Sequence, residues 1–146
     1  TITVGLGPGS YAGTRIAISA AIGVQLSSDA RLIGYSSICA MECDAQEYCV
    51  IGDARRKSFF FARILNNDLI EGPTLFSEVE LQARLESLDP VTPVLSSELL
   101  PQFHRAVFSF PSALILARLA KEPRRSFCLP PLEPLYLREP HITIPK

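Results

Sequence analysis

The sequence predicts an α/β fold, and three observations predict it. A short β-like run, Thr1-Ile2-Thr3-Val4, enters a glycine-rich turn at residues 5–13, and a long alanine-rich apolar run leaves it from Ile16 to Leu26. Strand, glycine turn, helix is the order in which α/β proteins bring backbone N–H groups to a helix N-terminus. Residues 48–71 then read as strand, turn, strand, turn, strand. Further on, Ser77 with Glu80 three residues later and Ser112 between Pro111 and Pro123 mark two helices. A chain of 146 residues, 47% of them hydrophobic, is large enough for one packed domain or two small lobes.

Each element has its own signal. Gly5-Leu6-Gly7-Pro8-Gly9-Ser10-Tyr11-Ala12-Gly13 permits positive φ and close backbone approach, and Ser10 or Thr14 is placed to cap the helix that follows, read as residues 15–27. Arg31 to Gly34 is a short strand. Ser36 or Ser37 then caps a second helix, expected from Ile38 to Gln46 as a link between lobes. Tyr48 to Asp53 is an apolar run of the kind found in a covered central strand. Ala54-Arg55-Arg56-Lys57 breaks it, Ser58 to Leu65 resumes it, and Asn66-Asn67-Asp68 is a turn by composition. A third strand starts at Leu69 and is expected to stop at Gly72-Pro73. In the helix over 77–88, Val79, Leu81, Leu85 and Leu88 mark the buried side. Val94-Leu95 is a short strand, and in the helix over 112–121 Leu114, Ile115, Ala117 and Leu119 are expected to face inward. From Pro130 the prolines suit a strap over a surface rather than a central strand.

Composition excludes several classes. With 14 basic and 15 acidic residues the net charge is −1, too even a balance for the whole chain to grip nucleic acid by counterion release. Cys39, Cys43, Cys49 and Cys128 are too few and too irregular for a disulfide scaffold and read as buried free thiols of a cytoplasmic protein. No run of 18 apolar residues and no secretory signal is visible. His104 and His141 lie too far apart for a local metal motif, and no serine stands in a G-x-S-x-G elbow. No catalytic residue and no metal ligand is therefore assigned.

Four features remain as candidates. Gly7, Gly9, Ser10 and Gly13 form a glycine loop spaced G-x-G-x-x-x-G, which is neither a Walker loop nor a regular dinucleotide fingerprint. It reads either as a phosphate or nucleotide contact or as a tight structural turn. Asp53 at a strand end is the best-placed acid, either near a metal–nucleotide or paired with Arg55 or Arg56. Arg55-Arg56-Lys57 beside Phe59-Phe60-Phe61 offers either an RNA-stacking surface or a solvated turn next to core. Ala17, Ala20, Ala21 and Gly23 recur at helical spacing, which lets a second helix or the chain's own sheet approach closely.

Three segments in order carry a family resemblance. Gly7-Pro8-Gly9-Ser10-Tyr11-Ala12-Gly13-Thr14-Arg15, Ile51-Gly52-Asp53-Ala54-Arg55-Arg56 and Glu133-Pro134-Leu135-Tyr136-Leu137-Arg138 resemble motifs of the TsaB (YeaZ) family, once filed with glycoprotease-like peptidases. The family more often has Thr at the place of Ala12 and Leu at that of Thr14. It also has a glycine-rich turn where this chain has Ser96-Ser97-Glu98, a departure that weakens a nucleotide pocket there.

The resemblance implies an actin-like (ribonuclease H-like) fold of mixed sheets flanked by helices. It implies a first lobe over 1–47 truncated at its N-terminus, lacking a front segment of strands and a helix, and a second lobe over 48–146 ending in the strap. It implies a non-catalytic subunit in threonylcarbamoyladenosine modification of tRNA, which partners a TsaD-like catalytic subunit and a TsaE-like ATPase, forms a homodimer when alone, and reaches tRNA only indirectly. No cofactor is implied beyond ATP or ADP at a subunit interface. The expected contact face is Ile16, Ala17, Ala20, Ala21 and Val24. The alternative is an actin-fold ATPase or kinase-like enzyme that binds nucleotide at the Gly7–Gly13 loop.

Overall fold

A computed structural model describes residues 1–138; His141 lies outside them. The described residues are α/β, with two sheets and three α-helices. Strand β1 (Ile2–Gly5), helix α1 (Tyr11–Leu26) and strand β2 (Leu32–Tyr35) form one unit, in which β1 and β2 pair in parallel and α1 is the crossover. Strands β3 (Glu47–Asp53), β4 (Ser58–Leu65), β5 (Asp68–Ser77), β6 (Val94–Ser96) and β7 (Ala106–Phe108) form a mixed sheet in the order β5-β4-β3-β6-β7. Its first three strands are the antiparallel meander predicted from the sequence; β6 and β7 add in parallel. Helix α2 (Glu78–Glu86) links β5 to the parallel strands, and α3 (Ala113–Leu119) follows β7.

Strand β3 is central and covered on both sides. Its side chains alternate between two cores as the pleat requires. Tyr48 and Val50 join Phe60, Ala62 and Ile64 of β4 on one face, where Tyr35, residues 38–41, Leu116 and Leu119 complete the cluster. Cys49 and Ile51 join Phe59 and Phe61 on the other, beneath Leu81 and Leu85 of α2. The first cluster draws on both sheets, so β2, β3, β4 and α3 share one apolar layer. A third cluster seats Ile18 and Ala21 of α1 on Val4 and Leu32.

Several expectations need correction. The helix expected over 38–46 is a single 3-10 turn, Ser37–Ala40. Ile38, Cys39, Ala40 and Met41 are all buried, leaving no solvent side for an amphipathic helix, and Met41 bridges Pro111 in extended conformation. Strand β5 does not stop at Gly72-Pro73. Gly72 takes φ +77 beside a register shift, and Pro73 is tolerated because β5 is an edge strand. Val79 is 79% exposed; the inward side of α2 is Leu81 and Leu85. In α3 it is Leu116 and Leu119 that are buried, while Leu114 and Ala117 are exposed. Strand β7 was not anticipated.

Past Pro130 the described tail has no regular structure and packs against the β1–α1–β2 unit. Leu132 is buried in the α1 cluster, and the Leu135 N–H donates to the Leu6 carbonyl at 2.7 Å. Arg125 fastens the start of the tail. Its side chain, 8% exposed, donates to the Tyr35 hydroxyl (2.9 Å), Asp68 Oδ1 (2.5 Å), Glu122 Oε2 (2.7 Å) and the carbonyls of Asn66 and Asn67 (both 3.1 Å).

Candidate functional site

The glycine turn is held from β2's far end. Gly7 takes φ +92, a conformation that favours glycine. Its N–H donates to Ser37 Oγ (3.0 Å), and its carbonyl accepts from the Ser36 hydroxyl (3.0 Å) and the Ser37 N–H (2.8 Å). Ser36 and Ser37 were expected to cap a helix; they brace the turn instead, a role that only the folded chain reveals. Ser10 is the N-cap of α1, accepting from the Gly13 N–H at 3.3 Å. That cap starts the helix at Tyr11, one turn earlier than the apolar run suggests.

A cleft of about 460 Å³ opens at this N-terminus. It is lined by residues 8–12 and 14, by 53–55 with Glu98, and by 134–138. The three sequence segments that carry the family resemblance therefore meet at one place. Asp53 lies on the wall, engaged: its Oδ1 accepts from the Arg55 N–H (2.6 Å) and its Oδ2 from the Arg55 guanidinium (3.2 Å), while its own N–H donates to Glu98 Oε2 (3.1 Å). This is the Arg55 pairing named as the alternative for Asp53. Arg138 also faces the cleft, and its Nε is buried without a hydrogen-bond partner among the described residues. An uncommitted buried donor beside a helix N-terminus is a setting in which an anion is stabilised. The Tyr11 and Tyr136 rings lie 5.4 Å apart at the rim, and Arg15 stacks over Tyr11 at 5.3 Å while donating to its hydroxyl at 2.6 Å.

Of the four thiols expected to be buried, Cys39 and Cys49 are, whereas Cys43 is half-buried and Cys128 exposed; none lines the cleft. Burial pushes the Cys39 and Cys49 thiols up to about 11, so both stay protonated near neutral pH. No group of three His, Cys, Asp or Glu side chains stands together among the described residues. No helix of the described residues is long and apolar enough to cross a membrane.

A second surface lies on the outward side of α1. Ile16 is 68% exposed and Val24 56%, with Ala17 and Ala20 exposed between them and Leu26 at the end. Ala21 differs from the rest of the expected contact set. It is 8% exposed and packs inward with Ile18 against the β1–β2 sheet.

The basic turn also resolves into parts. Phe59, Phe60 and Phe61 are all buried, so none is presented for stacking, whereas Arg55, Arg56 and Lys57 are exposed.

Two solved structures similar to this chain come from Pseudomonas aeruginosa. One is described as an uncharacterized protein with similarity to peptidase YeaZ: it is 19% identical, the match covers 94% of this chain and 73% of that one, and the TM-score is 0.69. The chain has the YeaZ fold. YeaZ from the same organism matches at 18% identity over 82% of this chain and 64% of its own, with a TM-score of 0.61. No protein-family model and no curated protein matches the chain. The YeaZ likeness agrees with the resemblance carried by the three motifs, and it covers both sheets.

Proposed function

We propose that this chain is a non-catalytic docking subunit of the TsaB (YeaZ) kind, serving threonylcarbamoyladenosine modification of tRNA. Its outward α1 face binds a TsaD-like catalytic subunit, a TsaE-like ATPase joins the assembly, and tRNA is reached through these partners. Without them the chain pairs with a second copy. The observation that carries this reading is the exposed, small-residue face of Ile16, Ala17, Ala20 and Val24. Alanines at Ala17 and Ala20 let another backbone approach closely. Full burial of Ile16, Val24 and Leu26 would contribute about 1.5–3 kcal/mol each. The sheet order, three antiparallel strands followed by two parallel ones, supports an actin-like lobe over 48–146, with 1–47 contributing to the other lobe. A structural neighbour is described by its similarity to a peptidase; among the described residues of this cleft, Ser10 forms no hydrogen bond with Asp53 or Glu98.

Calorimetric titration of a TsaD-like protein into this chain tests the reading. The parent chain binds and Ala20→Arg does not; equal binding by both would remove the α1 face from the account.

One observation favours a second reading, an actin-fold ATPase or kinase-like enzyme. The cleft gathers the glycine loop, the start of α1 and the unpartnered Arg138 Nε, groups that suit ATP or ADP. A ligand that binds only the folded state raises its stability, by about 2.7 kcal/mol at a hundred times Kd. A Cβ at Gly9 would meet nothing within 4 Å, so Gly9→Leu adds bulk at the cleft with no clash at its Cβ. A thermal shift with ATP and magnesium that vanishes in Gly9→Leu would favour the enzyme.

A further inference from the structure

Both hairpins of the meander place residues in the left-handed region, two in one and three in the other, and fill those positions with different residue types. Between β4 and β5 the left-handed positions are Asn66 (φ 51) and Asn67 (φ 63). Asparagine tolerates that conformation, and Arg125 ties both carbonyls down. Between β3 and β4 the left-handed positions are Arg55 (φ 64), Arg56 (φ 53) and Lys57 (φ 57), three in a row. None of these residue types favours that conformation. Asp53 holds Arg55, but Arg56 and Lys57 are exposed and form no ion pair among the described residues. Glycine or asparagine would relieve the strain, so the fold gains nothing from the two cations. Strain retained at a surface turn points to a use for the side chains themselves.

We propose that the 55–57 turn is a contact for the phosphate backbone of a nucleic acid, read without regard to base sequence. The exposed Arg56 guanidinium and Lys57 ammonium, beside an Arg55 already held by Asp53, offer donors to phosphate oxygens, which Arg grips bidentately. Burial of Phe59, Phe60 and Phe61 removes the stacking partners that base reading would need. The turn carries no large apolar side chain to anchor a protein partner, so an acidic protein fits it less well. The even charge of the whole chain makes the contact local and few-pointed. Arg55 lines the cleft at the first turn of α1, and the contact does not rest on the docking reading.

Fluorescence anisotropy of a labelled oligouridylate titrated with the full chain over a range of salt tests it. The decisive variant is Arg56→Gly with Lys57→Gly, because glycine adopts positive φ freely and keeps the turn. The expected result is salt-dependent binding by the parent and a plot of log K against log salt whose slope shrinks by about 1.4 in the variant, at roughly 0.7 per cation on a single strand. The variant's unfolding midpoint should not fall, and Arg56→Lys should bind as the parent does. Binding that ignores the double glycine variant, or no salt-dependent binding at all, would overturn the proposal. So would equal competition by polyglutamate, or a preference for one base sequence.

Discussion

Helices α1 and α2 each lay one side on a sheet, and those inward sides are alike. Ile18 and Ala21 seat α1; Leu81 and Leu85 seat α2. The outward sides are not. Helix α2 turns Glu78, Gln82 and Glu86 outward around a single exposed large apolar residue, Val79, and its Arg84 holds Glu71 through two 2.8 Å bonds. Helix α1 has one charged residue in sixteen, Arg15, and turns Ile16, Ala17, Ala20 and Val24 to solvent. Their starts differ too. Helix α2 has a full capping box, with Ser77 and Glu80 bonding each other's backbone N–H groups, and two acids in its first turn; α1 has a single 3.3 Å cap and no acid. Helix α2 is therefore stabilised by its own residues and finished by water. Helix α1 is finished by neither, which is why the account assigns it a partner.

The largest expected effects test whether the inward sides are equivalent. Leu81→Ala and Ile18→Ala should each destabilise the fold by about 2–5 kcal/mol in urea unfolding. A negligible loss for Ile18→Ala would mean that α1 is not seated as described. The outward sides should then separate. Ala20→Glu should weaken association with a TsaD-like protein, or self-pairing, by about 2–4 kcal/mol, roughly 30- to 1000-fold in Kd. Its folding stability should stay within about 0.5 kcal/mol, and Ala83→Glu on α2 should change neither quantity.

Smaller effects sharpen the contrast at the helix starts. Ser77→Ala breaks the reciprocal box and should cost about 1 kcal/mol; Ser10→Ala removes one long bond and should cost about half that. The smallest effect is on pH dependence. Bonds from the Ser77 hydroxyl and N–H hold the Glu80 carboxyl below its ordinary value. A folded value below the unfolded one gives a contribution present above the unfolded value, about 4.3, and lost as pH falls through the folded value. Glu80→Gln should therefore narrow the gap between the urea midpoints measured at neutral and acid pH. Helix α1 has no first-turn acid and should add nothing to that gap.

Much of the fold was legible because local signals and burial agree. The meander strands and α2 show their period, caps and turn residues in the sequence itself. The expected helix over 38–46 failed because tertiary contacts bury four consecutive residues, which no periodicity announces. Strand β7 escaped because it has three residues at an edge, with Val107 and Phe108 exposed. At the site, the three motif segments were visible one by one. Their meeting in a single cleft was not, because Asp53 and Arg138 reach the glycine loop only through the sheet and the returning tail. Ser36 and Ser37 were misread for the same reason: their partner, Gly7, lies about thirty residues away. Ala21 was misassigned because small residues at helical spacing serve a sheet contact as readily as a helix contact, and spacing alone does not tell the two apart.

Deuterium uptake by segments 16–24 and 78–86, measured before and after a TsaD-like protein is added, tests the central claim most directly. The account predicts slower exchange across 16–24 when the complex forms and unchanged exchange across 78–86. A complex that forms while 16–24 exchanges as freely as before would contradict it.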